Sequence, residues 1–148
     1  MARAGKQAPN QVLAEHKQLA QDVAAVDDWA NADTPRASGW GQEMSRRSAT
    51  AVEHLRKHFG GEAEAELFED FLEHSPHLVD KLKALSSEHA VIINELREVA
   101  EKSKAATGKD AERVAKKARA AVALLRRHEA EENELILRNA YEEFGGGD

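Results

Sequence analysis

The chain has 148 residues, zero cysteines and a formal net charge of -6, and hydrophobic residues make up 41% of it. A chain of this length can build one hydrophobic core, so we expect residues 1–148 to form a single domain with its core at about residues 10–144. Phosphate backbones bind basic surfaces, and the acidic balance therefore argues against a nucleic-acid partner. The absence of cysteine from the sequence excludes disulfides, thiolate zinc sites and iron–sulfur clusters.

The residue pattern also predicts the fold class and the compartment. Helix-favouring residues dominate, aromatic residues make up only 5%, and strand-favouring residues do not alternate with period two, so we expect an all-α protein. Apolar runs fall short of the roughly 18 to 20 residues that a membrane span needs, and the first residues do not resemble a signal peptide. We therefore expect a cytoplasmic protein without a membrane partner.

The first helix is predicted from about Asn10, as its N-cap, to about Ala30, after a frayed lead-in that ends at Pro9. Its buried face follows steps of four and three residues, the spacing of a helix packed against other helices. The residues on this face are Val12, His16, Leu19, Val23 and Val26. Asn, Asp, Pro, Ser and Gly at residues 31–39 predict the turn that follows.

The second helix is predicted from about Trp40 towards Leu72. Its buried face comprises Met44, Ser48, Ala51, Leu55, His58 and Glu62. Gly60 and Gly61 fall inside this helix, where each costs up to about 1 kcal/mol, so one alternative is a helix that stops at Gly60 and another that starts near Glu62. Apolar residues continue at Leu67, Phe68 and Phe71, and this pattern favours one continuous helix.

Ser75-Pro76 predicts the start of the third helix, with serine at the N-cap and proline at the first helical position. Its buried face comprises Leu78, Leu82, Leu85, His89, Ile92, Leu96 and Val99, with His89 as the polar member. A turn is predicted at residues 102–109. Asp110 can then cap a fourth helix that runs to about Phe144, before a tail at residues 145–148.

The fourth helix carries the most informative pair of side chains. Its buried face comprises Val114, Ala118, Ala121, Leu125, His128, Glu132 and Leu135. Residues four apart share one face of a helix, so His128 and Glu132 can bind a single centre. Burying an unpaired charge costs several kcal/mol, and a metal ion would compensate this pair.

The sequence repeats this arrangement. A shift of 70 residues lays His58 on His128 and Glu62 on Glu132, with further identities between the two helices. A shift of 73 residues lays Glu15-His16 on Glu88-His89. The chain therefore resembles two helical hairpins, each with a lone histidine and a His-x-x-x-Glu pair. The predicted helix lengths bring all four histidines to one height in an antiparallel bundle.

Three other histidines are expected outside this group. His54 lies one turn before His58, but its counterpart in the repeat is Leu124, so we interpret it as an outer or surface residue. His74 and His77 flank a predicted loop and are expected on the surface.

The motif order His, His-x-x-x-Glu, His, His-x-x-x-Glu resembles that of the hemerythrin-like, or HHE cation-binding, family over nearly the whole chain from His16 to Glu132. The resemblance implies an up-down-up-down antiparallel four-helix bundle that holds two iron ions. The ligand role implied by the resemblance falls on His16, His58, Glu62, His89, His128 and Glu132.

Two departures from the oxygen-carrying hemerythrins qualify this resemblance. Those proteins have a further histidine where this chain has Ile93, and an aspartate where it has Asn133. The pattern is closer to bacterial hemerythrin-like proteins and to the domain of an iron-regulating F-box protein. These departures count against reversible oxygen carriage.

The donor types indicate the chemistry as well. Imidazole and carboxylate without thiolate suit iron or manganese better than zinc, because six groups exceed what a tetrahedral ion uses. If both glutamates bridge two ions, His16 with His58 completes one end, and His89 with His128 the other. An oxo or hydroxo bridge would then leave one open position at each iron for dioxygen, peroxide or nitric oxide. Ferritin-like Glu-x-x-His pairs do not occur on the predicted buried faces, so ferroxidase chemistry ranks lower.

Three hypotheses follow from the sequence. The first is a non-enzymatic di-iron protein that binds or senses dioxygen, nitric oxide, peroxide or iron, with a separate effector protein as partner if it signals. The second is a di-iron enzyme with catalase-like peroxide disproportionation, and the third is a metal-free helical interaction module. Because no acid or base stands out beyond the predicted ligands, catalytic residues are not assigned and the question of enzymatic activity stays open.

Overall fold

The computed structural model describes residues 7–32 and 39–144, and the described residues form helices without strands. The elements are α1 (Gln7–Ala30), α2 (Trp40–Phe59), α3 (Glu62–His74), a 3-10 turn (Pro76–Leu78), α4 (Val79–Ser103) and α5 (Gly108–Phe144). Helices α2 and α3 together make one broken rod, and the four rods form an up-down-up-down antiparallel bundle. Helices α1 and α4 each pack against both α2 and α5. The predicted all-α fold is confirmed.

Three helix starts differ from the predictions. Helix α4 begins at Val79, after the 3-10 turn at Pro76–Leu78, and Pro76 therefore opens that turn instead of the α-helix. Helix α1 begins at Gln7 with Pro9 in its first turn, where a missing N–H is tolerated. Asn10 therefore lies inside the helix, and its prediction as N-cap is wrong. Helix α5 begins at Gly108, which has a φ of 54°, two residues before the predicted cap Asp110. Most of the predicted lead-in, the turn at residues 33–38 and the tail at 145–148 lie outside the described residues.

The predicted continuous second helix is wrong, because the chain breaks at its glycine pair. Helix α2 ends at Phe59, followed by Gly60 with φ -94° and ψ 3°. Gly61 is extended, with φ -80° and ψ 157°, and α3 starts after it. A Cβ atom at Gly61 would lie 3.0 Å from the Lys57 carbonyl oxygen. Two adjacent glycines weaken the helix most at this point, and the backbone leaves the helical conformation there.

The hydrophobic core is divided into two clusters. Each of the four rods contributes apolar residues to both clusters, and its predicted metal-binding histidine lies between them along the chain. The larger cluster includes Leu19, Leu55, Ile92 and Leu125. The smaller cluster includes Val12, Leu67, Leu85 and Leu135. A layer of polar side chains therefore interrupts the core at the level of the histidines.

Close contacts at one end of the bundle fix the relative heights of its helices. The Trp29 indole donates a hydrogen bond of 2.9 Å to the Trp40 carbonyl, and the Trp40 indole donates one of 3.3 Å to the Trp29 carbonyl. Gly41 passes so close to α4 that a Cβ atom there would lie 2.0 Å from the Ser103 carbonyl oxygen. These contacts hold α1, α2 and α4 in the register that the histidine layer requires.

Helix length and polarity bear on membrane association. Helix α5 has 37 residues, but charged side chains occur along its whole length. Within the described ranges, none of the helices is both long and apolar enough to cross a membrane.

Candidate metal centre

The four predicted histidines meet in the polar layer. The Nε2 atoms of His16 and His58 are 3.1 Å apart. The rings of His89 and His128 lie edge to face, with centroids 5.1 Å apart. His16, His58 and His128 are buried, whereas His89 keeps 16% of its side chain exposed. The histidines thus form two pairs, one from each helical hairpin.

Two buried carboxylates, Glu132 and Glu64, lie between these pairs. Glu132 places Oε1 3.0 Å from Nε2 of His16 and Oε2 3.6 Å from Nε2 of His128. Glu64 places Oε2 3.2 Å from Nε2 of His58 and Oε1 3.5 Å from Nε2 of His89. Each carboxylate therefore presents one oxygen to each pair of histidines.

The structure places Glu62, a predicted ligand, away from the histidine layer. Glu62 is exposed at the start of α3, where it lines a surface cavity with Glu15 and Glu66. The break at the glycine pair ends the helical spacing that would have placed Glu62 one turn after His58. Glu64, two residues further along, occupies the place expected for Glu62.

The sequence contained a signal for Glu64. Counting back from Phe71 and Leu67 in steps of four and three reaches Glu64, whereas the step from Glu62 to Leu67 is five residues and fits no single helical face. The continuous-helix prediction hid this break in spacing.

Three further side chains, all missed by the sequence analysis, hold the histidine rings from outside. Nδ1 of His58 donates to Glu15 at 2.5 Å, and Nδ1 of His128 donates to Glu88 at 2.7 Å. A histidine that donates from Nδ1 presents Nε2 to the opposite side, which here is the centre of the layer. The repeated Glu-His dipeptide was the available signal, since each glutamate precedes a lone histidine.

Asn133 holds the ring of His16, the other histidine of the first pair, from outside. Its side-chain oxygen lies 2.7 Å from Nδ1 of His16. Asn133 stands where the oxygen-carrying hemerythrins have an aspartate. Its side-chain amide contacts Nδ1, the outer nitrogen of the predicted ligand His16.

Five inner atoms of the layer lack hydrogen bonds of suitable geometry. Both oxygens of Glu132, Oε2 of Glu64 and the Nε2 atoms of His89 and His128 are buried without such a partner. Burying polar atoms in this state is costly, and a cation would compensate all of them. The donors fall into two groups whose ligand atoms lie within 4.8 Å of one another: His16, His58 and Glu132, and His89, His128 and Glu132. The residues present could therefore hold a metal ion.

Burial and nearby charges give the two carboxylates different acidities. Burial raises the pKa of Glu64 to about 7. Burial acts on Glu132 in the same direction, but the neighbouring His128 and His16 outweigh it and hold the pKa of Glu132 well below its usual range. Burial is the main factor that opposes the charged form of Glu64. A cation beside Glu64 would favour that form, because an opposite charge nearby offsets the cost of burial.

The pKa values of His58 and His89 are shifted in opposite directions. Burial tends to lower the pKa of His58, but the adjacent Glu64 and Glu15 carboxylates reverse the effect and raise it to about 9. Burial lowers the pKa of His89 to about 4. The His89 ring is therefore neutral at pH 7 and could bind a cation directly, whereas His58 would have to release a proton before its Nε2 could bind one.

The other histidines lie outside the layer. Nδ1 of His54 donates a hydrogen bond of 2.6 Å to the Asp22 carboxylate, which joins α2 to α1. His74 and His77 are exposed, as predicted. His74 belongs to a second group of donors with Asp70 and Glu73, but this group lies at the surface.

A helical bundle with a buried layer of histidines and carboxylates is typical of cation-binding proteins. A family model described as the hemerythrin HHE cation binding domain matches residues 8–140. The chain therefore belongs to the hemerythrin HHE family, and the resemblance inferred from its motifs is confirmed. Neither the curated proteins nor the solved structures contain a match to the chain.

Proposed function

We propose that the chain binds two iron ions between its histidine pairs and uses them to bind or sense dioxygen, nitric oxide, peroxide or iron itself. The observation that carries this proposal is the placement of Glu64 and Glu132. Each turns one oxygen towards each histidine pair. A carboxylate placed in this way can be shared by two cations, whereas a single cation would leave one oxygen of each carboxylate without a partner.

The donor set narrows the choice of cation. Four imidazoles and two carboxylates without thiolate suit iron or manganese better than zinc. His16 and His58 would hold one ion and His89 and His128 the other, with Glu64 and Glu132 shared between them. Bound iron supplies redox chemistry and affinity for small oxidants.

Side chains around the layer orient the histidines and pack against them. Glu15 and Glu88 orient His58 and His128, and Asn133 orients His16, so that the ring nitrogens face inward. Phe59 stacks on His89 with ring centroids 3.8 Å apart, and the two apolar clusters close the layer above and below. These residues limit the access of water to the layer.

The test is elemental analysis of protein produced in iron-replete cells and purified gently. We expect close to two irons per chain, with near-ultraviolet absorption that changes when nitric oxide or azide is added. One zinc per chain would contradict the proposal. Metal-free protein would also contradict it and would favour the metal-free interaction module.

A peroxide assay separates the enzymatic alternative from the binding function. Catalase-like activity would appear as oxygen evolved from added peroxide by the iron-loaded chain. The matched control is the same protein loaded with zinc, which cannot support that redox reaction. Iron binding with a spectral response but without gas evolution supports the binding or sensing role.

A further inference from the structure

The internal repeat changes chemical character at the position that directly follows the second histidine of each hairpin. The shift of 70 residues that lays His58 on His128 lays Phe59 on Glu129. The Phe59 ring stacks on His89, with planes 5° apart. The residue after the histidine is thus an aromatic ring in the first hairpin and a carboxylic acid in the second.

Glu129 is a buried carboxylic acid that is separate from Glu64 and Glu132, the two carboxylates placed between the histidine pairs. It is 8% exposed, and its Oε2 atom has no hydrogen-bond partner. It lies three residues before Glu132 and four before Asn133, and both of these contact His16. Because residues four apart share one face of a helix, Glu129 lies on the face of α5 from which Asn133 reaches His16. The buried Glu129 carboxylate therefore belongs to the end of the layer formed by His16 and His58.

We infer that Glu129 makes the two ends of the centre unequal: its carboxylate serves the cation held by His16 and His58, and this end fills first and binds more tightly. The inference rests on the proposed metal-binding function. A divalent cation near a buried carboxylate gains an attraction that an aromatic ring does not provide. The end formed by His89 and His128 faces Phe59 instead, so its cation is the more readily exchanged of the two.

The test is a calorimetric titration of the metal-free full-length chain with ferrous iron in the absence of oxygen. We expect two binding steps of unequal affinity. Glu129→Gln should weaken the tighter step by about 10- to 100-fold and leave the weaker step unchanged. Glu134→Gln is the matched control, because it makes the same chemical change on α5 at a position that is 60% exposed. This control should leave both steps unchanged.

Two further variants assign the steps to the ends, and they do not depend on the folding of Glu129→Gln. His16→Ala should abolish the tighter step and His89→Ala the weaker one; the reverse assignment would overturn the inference. So would two wild-type steps of equal affinity, or a Glu129→Gln protein in which the tighter step is unchanged or both steps weaken equally. Wild-type protein that binds no iron at all would instead refute the proposed function on which the inference depends.

Discussion

Replacing Glu64 and Glu62 separately by glutamine tests whether geometry or motif spacing identifies the ligand. Glu64 contacts His58 at 3.2 Å and His89 at 3.5 Å, one histidine from each pair. Loss of groups that merely orient a ligand typically costs 10- to 100-fold in metal affinity, so loss of a direct donor should cost at least about 100-fold at both ends. This corresponds to at least about 2.7 kcal/mol per ion.

The assay is iron content after gel filtration, with affinity measured by titration of the metal-free variants. Glu62→Gln is the matched control, since it makes the same change two residues away on the exposed face of α3. Glu64→Gln should retain well below two irons per chain, whereas Glu62→Gln should match the wild type. If Glu62→Gln loses iron and Glu64→Gln keeps it, the assignment from the structure is wrong and the motif spacing is right.

The remaining predictions concern the second carboxylate, the metal-free state and a surface cluster. Glu132→Ala should lose iron at both ends together, whereas His54→Ala should keep both irons; the opposite result in iron analysis would show that the ligands are misassigned. Chelation should lower the melting temperature by about 5–15 °C, because the emptied layer leaves polar groups unpaired at a cost of several kcal/mol; an unchanged melting curve after verified metal removal would support a metal-free bundle. Hydrogen bonds from Arg46 and Arg47 lower the pKa of Glu43 from 4.5 to about 2. Its stabilising contribution is therefore complete above pH 4.5 and is lost as the pH falls towards 2. Glu43→Gln should cost about 0.5–1 kcal/mol at pH 7 and clearly less near pH 2, as measured by denaturant unfolding; an equal cost at both pH values would refute the argument.

The sequence predicted the helices and the histidines well because both depend on regular spacing. His16, His89 and His128 each lie in a regular series of apolar residues, so their position on the inward face of each helix followed from the period of the helix. The repeat then related them to one another without any structure. These predictions needed only local geometry and the antiparallel order of the helices.

The prediction of one continuous second helix failed because the spacing of apolar residues does not show where the backbone leaves the helix. The glycine pair costs a helix about 2 kcal/mol, which is about what burying a single large apolar side chain contributes, and the sequence did not show which effect prevails. The roles of Glu15 and Glu88 were missed for another reason. Both lie outside the apolar series, and only the three-dimensional packing shows that they reach the outer nitrogens of histidines on neighbouring helices.

The break in the first hairpin explains how two different spacings produce one symmetric centre. In α5, the histidine and carboxylate are four residues apart on a continuous helix, as His128 and Glu132 are. Between His58 and Glu64 the chain leaves the helix at Gly60 and resumes at Glu62, so it needs two additional residues to bring a carboxylate back to the same level. The two hairpins therefore preserve the position of the carboxylate rather than its spacing in the sequence. This is why a ligand motif should be matched by the face on which its residues lie, and only then by their separation along the chain.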